Sequence, residues 1–264
     1  MTSALMRQPP PAGSPDPAAA LPPVRDDYAW YYRHWHDESD AHFEAMTDYF
    51  ARKLAPLLPD AENLDVLEVG CGWGFLLGAL QRFGVRRALG FDVDPTAIAM
   101  ARARGLAAER VAIPEQRAFM AGHAGRFDVV LAFDVLEHVP VEHQLGFLRD
   151  VLLVLKPGGR FICQVPNANS PIASRYRYGD WTHHTSFTEH SLGFALYRAG
   201  FEGIAVREAD ADPRPRLREV KPLAWWVLRR LTRGATRLSY MAELGRREGA
   251  GVPLSPNILA VAHR

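Results

Sequence analysis

Cysteine is scarce in this chain, and neither sign of charge is in clear excess. The 264 residues include two cysteines and carry a formal net charge of +1. Two cysteines in apolar segments do not provide a disulfide framework, which favours a reducing compartment and predicts a cytoplasmic protein. Proteins built to hold nucleic acid usually have a strong basic excess, so we expect no nucleic-acid partner.

Long apolar runs are also missing. No stretch reaches the ~18 apolar residues that a membrane-spanning helix requires. The chain starts with MTSALMRQPPPAGSPDPAAALPP, which lacks the apolar segment of a secretory signal. Its Pro- and Ala-rich composition predicts a disordered tail over residues 1–24.

From residue 61 onward, apolar strands alternate with helical patterns. The strand segments include LDVLEVG, RALGFDVD, RFDVVLAFDVL and RFICQVP, and the helical ones include FLLGALQRFG, PTAIAMARARG and QLGFLRDVLLVL. Alternation of this length predicts an α/β fold with a doubly wound parallel sheet. FEGIAVREA and NILAVAHR are expected to be closing strands. The domain is predicted to span residues 61–264, with a helical insertion at about 213–250.

Residues 25–60 precede this domain. Their second half has apolar residues at helical spacing, and their first half holds an aromatic cluster, namely Tyr28, Trp30, Tyr31, Tyr32 and Trp35. The segment is interpreted as a helical cap over a site. A helix that packs on the edge of the core is the alternative.

A glycine-rich turn follows the first strand, in the sequence EVGCGWGF. Gly70, Gly72 and Gly74 would let the backbone approach a ligand closely. Asp92 ends the second strand, where a carboxylate can accept both hydroxyls of a ribose. A nicotinamide-binding domain is the alternative, although its third glycine would normally come one position later.

Four segments, LDVLEVGCGWG, LGFDVDPTAIAMAR, FDVVLAFDVLEHV and LKPGGRFICQVPN, together resemble the motifs of class I S-adenosylmethionine (SAM)-dependent methyltransferases. The resemblance implies a seven-stranded Rossmann-like sheet and SAM as the cofactor. It implies that the loop from Gly70 to Gly72 wraps the methionine part, that Asp92 holds the ribose, and that Glu68 positions the loop and the SAM ammonium. The implied cofactor-binding set is Glu68, Gly70, Cys71, Gly72, Asp92 and Val93.

Two carboxylates and an imidazole follow the strand in VVLAFDVLEHVP. Asp134, Glu137 and His138 are spaced i, i+3, i+4, which would place them on one face of a helical turn. One interpretation is that Glu137 pairs locally and His138 lies at the edge of the site. A second makes His138 a general base. The third is a divalent-metal site, because hard cations prefer carboxylate oxygen and tolerate imidazole.

The metal interpretation rests on a further resemblance. D-x-x-E-H is similar to the E-x-x-E-H with which ubiquinone-pathway O-methyltransferases and small-RNA 2′-O-methyltransferases hold Mg²⁺ or Mn²⁺. The small-RNA enzymes add a later histidine, for which GDWTHHTSFTEHSL offers His183 or His184. The resemblance implies the metal ligands Asp134, Glu137, His138 and His183. The candidate catalytic residues are His138, His183 and His184.

The acceptor is expected to be a vicinal diol, since the related metal enzymes act on such groups. RYRYGDWTHHTSFTEHSLGFALYRAGF and SPNILAVAHR resemble O-methyltransferases of polysaccharide and glycolipid biosynthesis, which implies a saccharide hydroxyl. Arg175 and Arg177 are interpreted either as contacts to an anionic acceptor or as a solvated face. The alternatives are a catechol or polyketide acceptor, or a SAM-binding module without turnover.

The segment 220–247 is predicted to form an amphipathic helix. Its apolar face would comprise Ala224, Leu228, Leu231, Ala235, Leu238 and Ala242, and its basic face Arg229, Arg230, Arg233 and Arg237. Such a helix could contact an anionic membrane surface. Packing on the domain, or on a second subunit in a homodimer, is the alternative.

Overall fold

The computed structural model describes residues 29–58, 61–209 and 220–264. The strands are β1 (Asp65–Val69), β2 (Arg87–Asp92), β3 (Ala108–Arg110), β4 (Phe127–Phe133), β5 (Leu155–Pro166), β6 (Glu202–Glu208) and β7 (Asn257–His263). The helices are α1 (Ala29–Trp35), α2 (Asp40–Leu54), α3 (Phe75–Arg82), α4 (Pro95–Ala103), α5 (Ile113–Gly122), α6 (Val141–Val154), α7 (Ala173–Gly179), α8 (Glu189–Ala199), α9 (Val220–Leu244) and α10 (Arg246–Gly251).

All seven strands form one sheet in the order β3-β2-β1-β4-β5-β7-β6. The first five strands are parallel, and β7 runs antiparallel to both β5 and β6. The doubly wound, seven-stranded sheet predicted from the sequence is therefore confirmed. The strand order reverses between β1 and β4, and the carboxyl ends of strands at such a point open a crevice for ligands.

Two apolar cores cover the two faces of the sheet. Val129 and Leu131 of β4 belong to the core beneath α2, α3 and α4, whereas Val130 and Ala132 belong to the core beneath α5, α6 and α8. Successive strand residues point to opposite faces, and these four are completely buried. β4 is thus an interior strand, as its continuous apolar sequence predicts.

Helix boundaries follow local capping chemistry. The side chain of Asp94 accepts hydrogen bonds from the backbone N–H groups of Thr96, at 2.7 Å, and Ala97, so it caps α4. Pro95 takes the first helical position, where its missing N–H costs nothing. These two residues fix α4 directly after β2 and hold the strand end that carries Asp92.

The N-terminal segment supplies two helices that pack against the glycine-rich turn and α3. A Cβ at Gly78 of α3 would lie 3.0 Å from both Phe43 Cζ and Thr47 Oγ1, so glycine allows α2 to approach closely. The Tyr32 ring of α1 lies 5.0 Å from the Trp73 ring. The predicted helices are present, whereas the tail 1–24, residues 25–28 with Tyr28, and residues 59–60 lie outside the described residues.

The C-terminal insertion is helical where it is described. α9 runs without interruption through Gly234, and the Arg237 guanidinium donates to the carbonyl oxygens of Ala250 and Val252, which ties α9 to the α10 region. The start of the predicted insertion, 213–219, lies outside the described residues. None of the helices in the described ranges is long and apolar enough to span a bilayer.

Candidate functional site

The glycine-rich turn lies between β1 and α3. Gly70 and Gly72 have φ angles of 68° and 48°, a region that other residues rarely adopt. A Cβ at Gly70 would lie 2.5 Å from Val135 Cγ2, and a Cβ at Gly72 would lie 2.7 Å from the Tyr32 hydroxyl oxygen. The turn therefore requires glycine, and it lies between α1 and the segment that follows β4.

Asp92 is oriented by this turn. One carboxylate oxygen accepts the Gly72 N–H at 2.9 Å, and the other accepts the Asp94 N–H at 2.9 Å. Burial raises the pKa of Asp92, and these backbone donors act in the opposite direction. Since a carboxylate offers about four acceptor sites, Asp92 retains the capacity to accept two ribose hydroxyls.

Glu68 lies beneath the turn on β1 and is 2% exposed. Its Oε2 accepts no hydrogen bond from any residue in the described ranges. Burial first, and then the charge of Asp92, raise the pKa of Glu68 well above its usual value. A buried carboxylate oxygen without a donor suits a cationic group, and the ammonium of SAM provides one.

The remaining two predicted cofactor residues differ in exposure. Cys71 is buried and its N–H donates to the Phe91 carbonyl at 3.0 Å. Burial raises the pKa of the Cys71 thiol, which is therefore neutral and can contribute only through packing and backbone. Val93 directly follows Asp92 and is 41% exposed, so its side chain can contact the apolar surface of a ligand.

The segment after β4 differs from the predicted helical face. Asp134 has a φ of 56°, the only positive φ of a non-glycine residue in the described ranges. A single 3₁₀ turn, Leu136–His138, follows it. The Asp134 carboxylate accepts the Gln164 side-chain amide at 3.0 and 3.1 Å. The three residues therefore do not share the face of one regular helical turn, because Asp134 precedes the turn with a left-handed backbone.

Three of the four predicted metal ligands do lie together. Glu137, His138 and His183 each offer a ligand atom, and these atoms are within 4.8 Å of one another. We call this group the EHH cluster; Asp134 and His184 are outside it. Glu137 is completely buried, and neither of its carboxylate oxygens accepts a hydrogen bond from another described residue. Burial, and next the Asp134 charge, raise the pKa of Glu137. One carboxylate and two imidazoles fit a divalent cation.

Hydrogen bonds fix the tautomers of both imidazoles. The Thr182 hydroxyl donates to Asp180 at 2.6 Å, so its oxygen accepts from His138 Nδ1 at 2.9 Å. His183 Nδ1 donates to the Tyr176 carbonyl at 2.8 Å. In the neutral form of each ring the lone pair is therefore on Nε2. Burial, and then the neighbouring His183, lower the pKa of His138 to about 4, which keeps this ring neutral near pH 7.

Backbone contacts hold the loop that supplies His183. The His184 N–H donates to the Glu137 carbonyl at 2.7 Å, which holds the loop beside the 3₁₀ turn. Arg177 donates to the carbonyl oxygens of His183 and His184, at 2.5 and 2.9 Å. Arg177 thus holds the loop, and Arg175 lies 5.7 Å from the Trp35 ring.

Asp180 and Thr182 have no role in the sequence interpretation, although both lie in the GDWTHH segment that supplies His183. Thr182→Val removes the acceptor that orients His138. If the EHH cluster holds Mg²⁺, this variant should bind the cation about 10–100-fold more weakly by calorimetry, the range for outer-shell partners of metal ligands. Thr182→Ser retains the hydroxyl and should restore affinity. Equal affinity in the valine variant would show that Thr182 does not orient the ring.

Comparison with known proteins identifies the family of this chain. Residues 41–206, more than half of the chain, match the family described as a methyltransferase domain. The chain belongs to this family. This chain is 37% identical over 124 residues to the ubiquinone biosynthesis O-methyltransferase of Cereibacter sphaeroides, and the match covers 46% of this chain and 48% of that protein. For the protein of the same name in Xanthomonas campestris the identity is 36% over 125 residues, 46% of this chain and 48% of that protein. The chain spans about half the length of the curated relatives it matches.

Solved structures confirm the fold of the methyltransferase domain. A SAM-dependent methyltransferase from Archaeoglobus fulgidus superposes with a TM-score of 0.61 at 16% identity, over 90% of this chain and 100% of that one. One from Mesorhizobium loti has a TM-score of 0.54 at 20% identity, over 83% and 100%. At these identities the similarity establishes the fold alone.

Proposed function

We propose that this methyltransferase-family protein transfers the methyl group of SAM to a hydroxyl group, with a divalent cation at the EHH cluster. The observation that carries the proposal is the Glu137 carboxylate, which is completely buried without a donor from another described residue and lies beside two imidazoles with lone pairs on Nε2. A binding module without turnover has no need for such a group beside its cofactor turn. Mg²⁺ or Mn²⁺ suits the carboxylate and leaves room for oxygen ligands.

Three features of the turn between β1 and α3 and of its surroundings support the binding of SAM. Glu68 would pair with the ammonium, the Gly70–Gly72 turn would allow the methionine part to approach the backbone, and Asp92 would accept the ribose hydroxyls. Gly70 lies against Val135, so the turn and the EHH cluster adjoin through one short segment. This proximity is what methyl transfer between the two ligands requires.

The reaction is a displacement at the methyl carbon. The acceptor oxygen attacks that carbon, the bond between sulfur and carbon breaks, and S-adenosylhomocysteine leaves as a neutral thioether. A bound cation would lower the pKa of a hydroxyl that it contacts. The acceptor proton must be taken up, and His184 is the proposed base because it is exposed beside the cluster without belonging to it.

A saccharide hydroxyl is the proposed acceptor. Four aromatic side chains of α1 and the α7 region are exposed, namely Trp30, Trp35, Tyr178 and Trp181. Trp181, two residues before His183, is 95% exposed, and the Tyr31 hydroxyl donates to the Gly179 carbonyl at 3.2 Å, which links α1 to α7. Exposed rings of this kind suit stacking on a pyranose, and two adjacent hydroxyls suit a cation.

A catechol or related small aromatic diol is the second candidate. It is favoured by the relatives named ubiquinone biosynthesis O-methyltransferase, which match about half of their length. Both candidates share adjacent hydroxyls, so the acceptor class and the role of the cation can be tested together.

The test is methyl transfer from SAM to matched acceptors, measured as a gain of one methyl group by mass spectrometry. We expect transfer to vicinal diols, with a loss of at least about 100-fold for deoxy analogues that lack the second hydroxyl. Activity with the sugar series or the catechol series decides between the two acceptors. Equal turnover of diol and deoxy acceptors would exclude the chelation argument. Consistent failure across diols, with SAM bound, would favour the binding module.

A further inference from the structure

We infer that α9 is a dimerisation helix that pairs antiparallel with α9 of a second copy of this chain. The inference concerns a surface away from the EHH cluster and does not depend on the proposed reaction. Six residues form the surface, which we call the α9 seam: Ala224, Leu228, Leu231, Ala235, Leu238 and Ala242.

The α9 seam faces solvent. Leu228, Leu231 and Leu238 are 52%, 66% and 66% exposed, and the three alanines are exposed as well. Arg233 and Arg237 lie on the opposite, half-buried side, where Arg237 donates to the carbonyl oxygens of Ala250 and Val252. Arg237 is thus directed toward the α10 region, Arg229 and Arg230 are exposed, and the apolar side of the helix faces outward. An outward apolar stripe marks an interaction surface.

The spacing of the seam favours another helix as its partner. The six positions follow one another at intervals of four, three, four, three and four residues, a repeat of 3.5 that is the pattern of a helix-pair seam. The seam is about 27 Å long at a rise of 1.5 Å per residue. Around a centre near residue 233, the positions are symmetric: Ala224 would face Ala242, and Leu228 would face Leu238. Two copies related by a two-fold axis present such a surface to each other.

Charge selects the antiparallel arrangement. Lys221 lies at the N-terminal end of the seam and Glu243 at its C-terminal end, on the same flank and both exposed. An antiparallel pair would bring each lysine near the glutamate of the other copy, twice per dimer, whereas in a parallel pair the two residues would stay about 33 Å apart along the axis. The positions that border the seam between these ends, Trp225, Val227, Thr232, Gly234, Ser239 and Met241, are uncharged.

A lipid surface fits these observations less well. Helices that lie in a membrane interface have many Lys and Arg residues on the polar face and Trp, Phe or Leu on the apolar face. On α9, Arg229 and Arg230 are exposed, but Arg237 is directed toward α10, the borders of the seam are uncharged and its C-terminal end is acidic at Glu243, which favours a second helix over lipid.

The first test is sedimentation equilibrium of the full chain over a range of concentrations. We expect a dimer, and Leu231→Glu should weaken its association at least about 100-fold because a charge would be buried in the seam. Leu244→Glu is the matched control, since Leu244 is 45% exposed on the same helix but outside the seam. Lys221→Glu should weaken the dimer, and the added Glu243→Lys should restore it.

A monomer at every concentration would overturn the inference, and flotation of that monomer with anionic vesicles would assign the seam to lipid.

The second test reads the direction of pairing. Thr232→Cys and Ser239→Cys lie on the same border, and the native Cys71 and Cys163 are buried. In the antiparallel pair the two copies of position 232 are about 3 Å apart along the axis, and those of position 239 about 18 Å. A short bis-maleimide should therefore cross-link Thr232→Cys alone. Efficient cross-linking of both variants would show a parallel pair and contradict the proposed arrangement.

Discussion

Glu137→Gln should lower methyl transfer at least about 100-fold while SAM affinity changes less than about 2-fold. Outer-shell partners of metal ligands are worth about 10–100-fold, so removing a ligand charge should exceed that range. The amide has the same shape as the carboxylate but no charge, and neither carboxylate oxygen of Glu137 has a hydrogen-bond donor from another described residue. The measurement is a rate with the best diol acceptor, together with calorimetric titration of SAM.

The control for this variant is Glu142→Gln, which makes the same substitution at an exposed position in the first turn of α6. It should leave both the rate and the affinity unchanged. Retained turnover in Glu137→Gln would remove the carboxylate from the reaction, whereas loss of SAM binding would indicate that the fold of the site had changed.

Asp92→Asn should weaken SAM binding about 30–100-fold. Asp92 accepts hydrogen bonds from two backbone N–H groups, and the asparagine must direct its NH₂ group toward one of these donors. Hydrogen bonds to a charged group contribute about 1.5–3 kcal/mol, and the ribose contacts would be weakened at the same time. Binding of S-adenosylhomocysteine by calorimetry provides the measurement without any dependence on the acceptor.

Asp94→Asn is the matched control, two residues further along. Asp94 caps α4 through its side chain, and asparagine caps helices about as well as aspartate. This variant should keep the affinity within about 2-fold. If the two variants lost affinity equally, the effect would come from the end of β2 as a whole and not from a ribose contact at Asp92.

The parallel strands and the glycine turn could be predicted because their signals are local. The strands read as short apolar runs, Pro95 and Asp94 mark the start of α4, and φ angles of 68° and 48° explain why Gly70 and Gly72 stand in the turn. β3 and α5 lack such signals: β3 has three residues, and among α5 residues only Met120 is buried. α8 differs from both, because Leu192, Leu196 and Ala199 form an apolar stripe at helical spacing.

The EHH cluster was only partly predictable for a different reason. The D-x-x-E-H spacing assumes a regular helical turn, but the left-handed backbone of Asp134 directs its carboxylate to Gln164 of β5. That contact depends on the pairing of β4 with β5, which no local pattern encodes. The choice between His183 and His184 also depends on tertiary contacts, since the His184 N–H is held by the Glu137 carbonyl and His183 is directed into the cluster.

Calorimetric titration of Mg²⁺ into protein saturated with S-adenosylhomocysteine, beside the His138→Ala variant, tests the central claim most directly. We predict one cation bound per chain in the native protein and none in the variant, which would make the EHH cluster a metal site. Absence of binding in the native protein, or the same binding in both proteins, would contradict the account. The adjacent-hydroxyl argument for the acceptor would then lose its basis, and any single hydroxyl would become a candidate.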